Sequence, residues 1–336
     1  MSQSPETLPL DEFDAMPDGL SAVDARSIRT VFPNSALIRL EGRRKQPVAV
    51  GVMIHGDEPV GLSVLQRLQA WMKTHPLPRS LLIFVGNVHA AEAGVRKLPG
   101  RPDYNRIWKG GAEPEHDLAA RVLAAFDEAE PFAHIDLHNN TGANPNYACV
   151  HNDRADTRQL ASFFSPLAMH THNPPSLFSN SRAGTVPAIT AECGQAGDPD
   201  GEAAALEAVM AALHLDHFRG AADRDLTVYD VTGRIEVAED ASLGFEHGAK
   251  ADLQLPAKLE SWNFFDRPEG STFARRLTGR QVMTVYDDDR NDVTDRFFKV
   301  EGDRVILKRT ATPAMLTVNE AAIRNDCLGY LMEKRG

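Results

Sequence analysis

The stretch Val48-Ala49-Val50-Gly51-Val52-Met53-Ile54-His55-Gly56-Asp57-Glu58-Pro59 limits the fold more than any other part of the chain. Seven residues, mostly apolar and β-branched, run without a break into His-Gly-Asp-Glu. A short continuous apolar run of this kind reads as a strand buried on both faces, as in parallel sheets. His55 then stands at the carboxyl end of the strand. Gly56 is expected to permit a sharp turn. Asp57 is expected to cap the following helix and Pro59 to open its first turn. An imidazole and a carboxylate, His-x-x-Glu, are thereby placed at the carboxyl edge of an open α/β sheet, where such proteins bind ligands. Both are metal-ligand types, and one tight turn can aim both at a common point. The alternative is a capped strand-to-helix turn with an incidental histidine.

The alternation continues along the chain. Residues 35–40, 81–85, 132–137, 147–150 and 186–191 read as strands. Residues 58–73 read as a helix with Val60, Val64, Leu65, Leu68 and Met72 on one face, and 117–128, 155–164 and 201–218 as further helices. This order implies an α/β fold: a mostly parallel or mixed sheet flanked by helices. Residues 1–30 read as a loosely ordered lead-in. Residues 94–112, rich in glycine, proline and basic side chains, read as a long loop of the functional kind. Beyond 220 the texture changes to short β-branched runs at 226–229, 281–286 and 304–307, separated by Gly, Asp and Asn. Two domains are expected, 1–220 and a smaller β-rich domain, 221–336.

At 336 residues the chain can bury a core without staples. The net charge of −11, with no basic cluster, argues against nucleic acid as a partner. A pocket can still carry local arginines for an anionic small molecule. Cys149, Cys193 and Cys327 have no zinc-finger spacing, so free thiols in a reducing compartment are expected. Residues 1–18 are polar and acidic, unlike a signal peptide, and no apolar run is long enough to span a membrane. A cytoplasmic protein without a membrane partner is expected. The oligomeric state stays open, and a homo-oligomer is compatible with the sequence.

Three further sets carry chemistry. His138 follows Ile135-Asp136-Leu137 at a strand end, with Asp136 on the same face and able to orient it. With His55 and Glu58 it makes the His2Glu set of catalytic zinc sites. Glu192, after Thr190-Ala191, also ends an apolar strand, and beside a metal its carboxylate can take a proton from the attacking water. The loop offers Arg96, Arg101, Asn105 and Arg106, and arginine suits carboxylates and oxyanions.

In this order, His55-Gly-Asp-Glu58, Asp103-Tyr-Asn105-Arg106, Asp136-Leu-His138 and Glu192-Cys-Gly194 resemble the motifs of the aspartoacylase/succinylglutamate desuccinylase family, whose members share the zinc carboxypeptidase fold. The resemblance covers about residues 45–218 by motif. The β-rich tail fits the family's second domain by position and character. The family usually reads His-Gly-Asn-Glu and Asp-Leu-Asn-Arg, so Asp57 and Tyr104 are departures, but neither removes a ligand or a substrate group.

The resemblance implies one zinc per chain on His55, Glu58 and His138, with Glu192 as general base and later acid. It implies Asn105 and Arg106 as holders of the substrate's α-carboxylate. Arg96 best matches the oxyanion arginine; Arg101 stays a candidate because the spacing from Arg96 to Asn105 is longer than the family's. Arg182, ten residues before Glu192, matches an arginine that grips a side-chain carboxylate. The implied reaction is hydrolysis of the amide of a small N-acyl amino acid, with the β domain capping the site. A carboxypeptidase acting on short peptides and a non-catalytic ligand-binding homologue are the alternatives. Asn139-Asn140-Thr141 departs from the His-Thr-Ala of succinylglutamate-cleaving members, which leaves the acyl group and the amino acid open.

Overall fold

The computed structural model describes residues 7–172, 174–220, 225–246, 248 and 250–336. The chain divides into two units, Met1–Asn139 with Asn146–Leu226, and Asn140–Pro145 with Thr227–Gly336. The division thus falls after 226 rather than 220, and the short segment 140–145 goes with the second unit.

The first unit holds strands β1 (Leu10–Phe13), β2 (Ser35–Leu40), β3 (Arg44–Val52), β4 (Arg79–Val85), β5 (Ala133–Asn140), β6 (Tyr147–Val150), β7 (Leu167–His170) and β8 (Ala188–Gln195). Their order is β1-β2-β4-β3-β5-β8-β6-β7. β3 runs parallel to β4 and β5, while β2 opposes β4 and β6 opposes β8. The His134 N–H to Pro187 C=O bond at one end and the Asn139 Nδ2 to Gly194 C=O bond at the other make β5 and β8 run the same way. The sheet is therefore mixed, with a parallel centre. β4 and β5 are buried along their whole length, as is β3 from Pro47 onward, which is why these segments read as unbroken apolar runs rather than as alternating ones.

The helices are α1 (Val60–Met72), α2 (Val88–Ala93), α3 (Pro114–Ala129), α4 (Ala155–Phe164), α5 (Phe178–Arg182) and α6 (Pro199–His214). Ala49 packs into a core with Phe126 of α3 and Phe178 of α5. Val52, facing the other way, meets α1 so closely that a Cβ on Gly61 would lie 2.5 Å from its own Cβ. Alternate residues of β3 thus serve opposite layers, as the two-residue repeat requires.

Three expectations are corrected here. The lead-in is structured over its described part. β1 pairs parallel with β2, a 3₁₀ turn over Ala25–Thr30 is held by a reciprocal Asp24/Ser27 capping box, and Leu20 and Ile28 are fully buried. Asp57 does not cap α1. Pro59 occupies the cap position without a side-chain bond, and the Val60 N–H is accepted instead by Asn139 Oδ1 at 3.0 Å. Gly56 is required by crowding rather than by its backbone angles, because a Cβ there would lie 2.2 Å from the Ala90 carbonyl carbon. The left-handed residue of the turn is Met53, at φ 55° and fully buried.

The second unit is β-rich. Strands β9 (Thr227–Val237), β13 (Met283–Tyr286), β16 (Thr312–Ala314) and β17 (Gly329–Lys334) form an antiparallel sheet in the order β13-β9-β17-β16. Strands β10 (Leu243–Gly244), β11 (Leu253–Gln254), β12 (Thr272–Arg276), β14 (Phe298–Glu301) and β15 (Arg304–Leu307) form a second sheet in the order β10-β11-β12-β15-β14. Its helices, α7 (Thr294–Phe297) and α8 (Glu320–Asn325), are short. Phe273, Phe297, Val285 and Leu331 lie in its own apolar core. Cys149, Cys193 and Cys327 are buried thiols. Among the described residues no helix is long and apolar enough to cross a membrane.

Candidate metal centre

The turn after β3 and the end of β5 bring His55, Glu58 and His138 together. One ligand atom from each lies within 4.8 Å of the others, and all three residues are buried. His55 Nδ1 lies 2.7 Å from Glu58 Oε1, and His138 Nδ1 lies 2.7 Å from Glu58 Oε2. The outer nitrogens turn to carboxylates: His55 Nε2 to Asp103 at 3.0 Å and His138 Nε2 to Asp136 at 3.1 Å. Each ring therefore has one nitrogen facing the cluster and one held by an acid, the arrangement that fixes the orientation of metal-binding histidines. His138 lies within β5 rather than after it, and Glu192 lies within β8.

The charges reinforce one another. Burial works to raise the pKa of Glu58, but His55 and His138 outweigh it and hold the carboxyl far below its usual range. Burial works to lower His138, yet Asp136 and Glu58 raise it well above an ordinary imidazole. Glu192 is pushed up to about 7, first by burial and further by the charge of Glu58, against the pull of His138, His55 and Arg96. Glu192 is thus within electrostatic reach of every member of the cluster.

The loop lies against the same place. The Gly56 N–H donates to the Arg96 carbonyl, and Arg96 reaches Asp103 through Nε at 3.0 Å and Glu58 through a terminal nitrogen at 3.5 Å. Asp103 joins three groups, accepting from His55 and from the Asn105 N–H on one oxygen and from Arg96 on the other. Asn105 is buried, its Nδ2 lies 3.4 Å from His138 Nε2, and its Oδ1 accepts from the Phe178 N–H. Arg106 follows, half-buried. The loop is not loose, because Tyr104, Ile107 and Trp108 are buried in the α3 core and Trp108 stacks on Phe178 with ring centroids 3.8 Å apart.

Two arginines are placed elsewhere. Arg101 pairs with the buried Glu115 of α3 at 2.6 Å. Arg182 pairs with Asp127 at 2.6 Å, and its charge bears on His134, four residues before His138 on β5. The structure brings Arg96 and Asn105 to the cluster, Glu192 bears on it by charge, and Arg101 and Arg182 pair with acids of α3. Sequence reasoning gave Asp103 and Asn139 no role. The signal for Asp103 was its position two residues before Asn105; for Asn139 no local pattern carries one.

The family model of the succinylglutamate desuccinylase/aspartoacylase catalytic domain matches residues 46–218, just over half of the chain. The chain belongs to this family. No curated protein matches it. Among solved structures, the succinylglutamate desuccinylase/aspartoacylase from Rhodobacter sphaeroides is similar at 14% identity and a TM-score of 0.60, over 88% of each chain. The succinylglutamate desuccinylase from Vibrio parahaemolyticus is similar at 14% identity and a TM-score of 0.59, over 87% of this chain and 83% of that one. Murine aminoacylase 3 is similar at 14% identity and a TM-score of 0.54, over 87% and 95%. At these identities the likeness speaks for the family fold, and it extends past the catalytic domain into the β-rich unit.

The crowding at Gly56 makes a prediction for this family member. Gly56→Ala is expected to lower the midpoint of thermal unfolding by an overpacking cost of about 1–3 kcal/mol, because the obstructing atoms are backbone rather than a side chain that can swing away. An unchanged melting temperature would mean that α2 yields freely to the turn.

Proposed function

We propose that this chain is a zinc-dependent hydrolase that cleaves the amide of a small N-acyl amino acid. The observation that carries the reading is the buried His55/Glu58/His138 group with Glu192 in electrostatic reach of it. Two imidazole Nδ1 atoms and a carboxylate converging on one point fit the His2Glu donor set of a catalytic zinc site, which leaves a position open. Zinc held there supplies Lewis acidity, polarising an amide carbonyl and making a water more acidic.

The chain's own residues do the rest. Glu192 takes the proton from the attacking water and delivers it to the departing amine, so that the products are a carboxylate and a free amino acid. The Arg96 guanidinium lies beside Glu58 and offers its charge to the oxyanion that develops on the amide oxygen. Asn105 and Arg106 hold the substrate's α-carboxylate and so set how the amide faces Glu192. Arg182, paired with Asp127, has no part in this reading.

The test is a panel of N-acyl amino acids, their α-amides and short peptides, assayed for amine release with the zinc-loaded protein. Amine release from the free acids, and little from the α-amides, is expected. Turnover of short peptides in preference would favour a carboxypeptidase, and zinc binding without any turnover a ligand-binding homologue. Arg106→Lys should lower kcat/KM on the free acids about tenfold or more, since lysine offers a point charge where arginine makes two parallel bonds. It should also narrow the preference for acid over amide. A mild loss erased by salt would reduce Arg106 to steering anions at the rim.

A further inference from the structure

We infer that Asn139 is a positioning residue that locks the metal-ligand turn to the strand of the general base; the inference rests on the functional reading above. Asn139 is buried and makes three bonds in three directions. Its backbone N–H donates to Glu58 Oε2 at 3.2 Å, the same oxygen that faces His138 Nδ1. Its Oδ1 accepts from the Val60 N–H at 3.0 Å, at the start of α1. Its Nδ2 donates to the Gly194 carbonyl at 3.2 Å, on β8.

These partners lie next to the working groups. Val60 is two residues after Glu58, Gly194 is two residues after Glu192, and Asn139 itself follows His138. Asn139 therefore bridges the three segments that carry the three ligands and the base. The amide is suited to this because one end only accepts and the other only donates, so the two bonds cannot exchange. Alanine makes neither bond, and a threonine hydroxyl is too short to reach both partners. The bond to Val60 has a second consequence. The residue at the cap position, Pro59, offers no side-chain acceptor, so the Val60 N–H at the start of α1 is capped from β5 instead.

The two arms separate by substitution. Asn139→Ala loses both. Asn139→Asp keeps the acceptor for Val60 and loses the donor to Gly194. Zinc affinity is measured by chelator competition, kcat and KM at zinc saturation, and melting with and without metal. Asn139→Ala is expected to weaken zinc binding about 10–100-fold, as the loss of an outer-shell support does. It is also expected to lower kcat at zinc saturation about tenfold with little change in KM, because Glu192 is displaced while the substrate clamp stands. Asn139→Asp is expected to bind zinc within a few-fold of wild type yet share the low kcat. If either variant keeps wild-type kcat at zinc saturation, or if only the melting temperature moves, the residue is merely structural and the inference falls. A wild-type protein that binds no zinc or releases no amine would sink the functional reading instead.

Discussion

Glu192→Gln is expected to bind zinc as wild type does and to lose about 10²–10⁴-fold in kcat, the usual worth of a general base. The amide keeps the shape of the carboxylate but cannot take a proton. Glu192 is buried within β8, and its pKa near 7 comes chiefly from burial, with Glu58 adding to it. A bound divalent cation joins His138, His55 and Arg96 in pulling the value down. The base must be ionised to work, so kcat/KM of the wild type should fall as pH is lowered through that pKa, and this acid limb should lie below pH 7. The variant should be slow at every pH and show no such limb. Rates measured across pH on protein of verified zinc content decide it. A variant within a few-fold of wild type removes Glu192 from the mechanism.

What the sequence disclosed follows the range of the interactions. His55 and Glu58 were readable because three residues and one turn separate them, and the strand before them announced its own burial. Residues 155–164 read as the helix that the structure contains, because their apolar face repeats within ten residues. The cap of α1 was misread for the opposite reason. Asp57 has the right chemistry at the right place, but the acceptor that Val60 uses comes from Asn139, 79 residues further on. Gly56 was rightly singled out, for the wrong cause, since the atoms that forbid a side chain belong to Ala90 and Ala91.

The lead-in shows the same limit. Leu20 and Ile28 make no period, and it is β2, α1 and α2 that give that segment something to pack on. Arg96 reaches the cluster, whereas charge partners hold Arg101 and Arg182. Glu115 holds Arg101 and Asp127 holds Arg182, and both acids lie on α3, outside the motifs. A motif fixes the order of residues along the chain, and the direction of a long side chain is set by whatever acid the fold brings near.

Zinc binding is expected to release protons, and His138→Ala to lose zinc and activity together. His138 Nδ1 faces Glu58 and Nε2 faces Asp136. Burial alone would discharge the ring, but Asp136 and Glu58 raise its pKa well above the usual imidazole value. His55 is raised as well, in the face of burial and Arg96, by Glu58 and Asp103. Both rings must give up a proton to become ligands, so zinc binding expels protons and tightens as pH rises.

With zinc removed by a chelator the linkage has the opposite sign. Raised folded pKa values stabilise the metal-free protein below the unfolded histidine pKa, and that contribution is lost as pH climbs through the folded values. The gap in melting temperature between zinc-loaded and chelator-treated protein should therefore widen with pH. Zinc at a thousandfold excess over its Kd contributes about 4 kcal/mol, enough for the gap to be read by calorimetry. Titrations in buffers of different ionisation enthalpy count the protons released. In His138→Ala the gap, the proton release and amine release should disappear together, because one of the three donors is gone and Glu58 has lost the ring that faced Oε2. A variant that keeps a zinc-dependent gap of wild-type size would exclude His138 as a ligand. A wild-type gap that does not change with pH would show that the rings meet the metal already neutral.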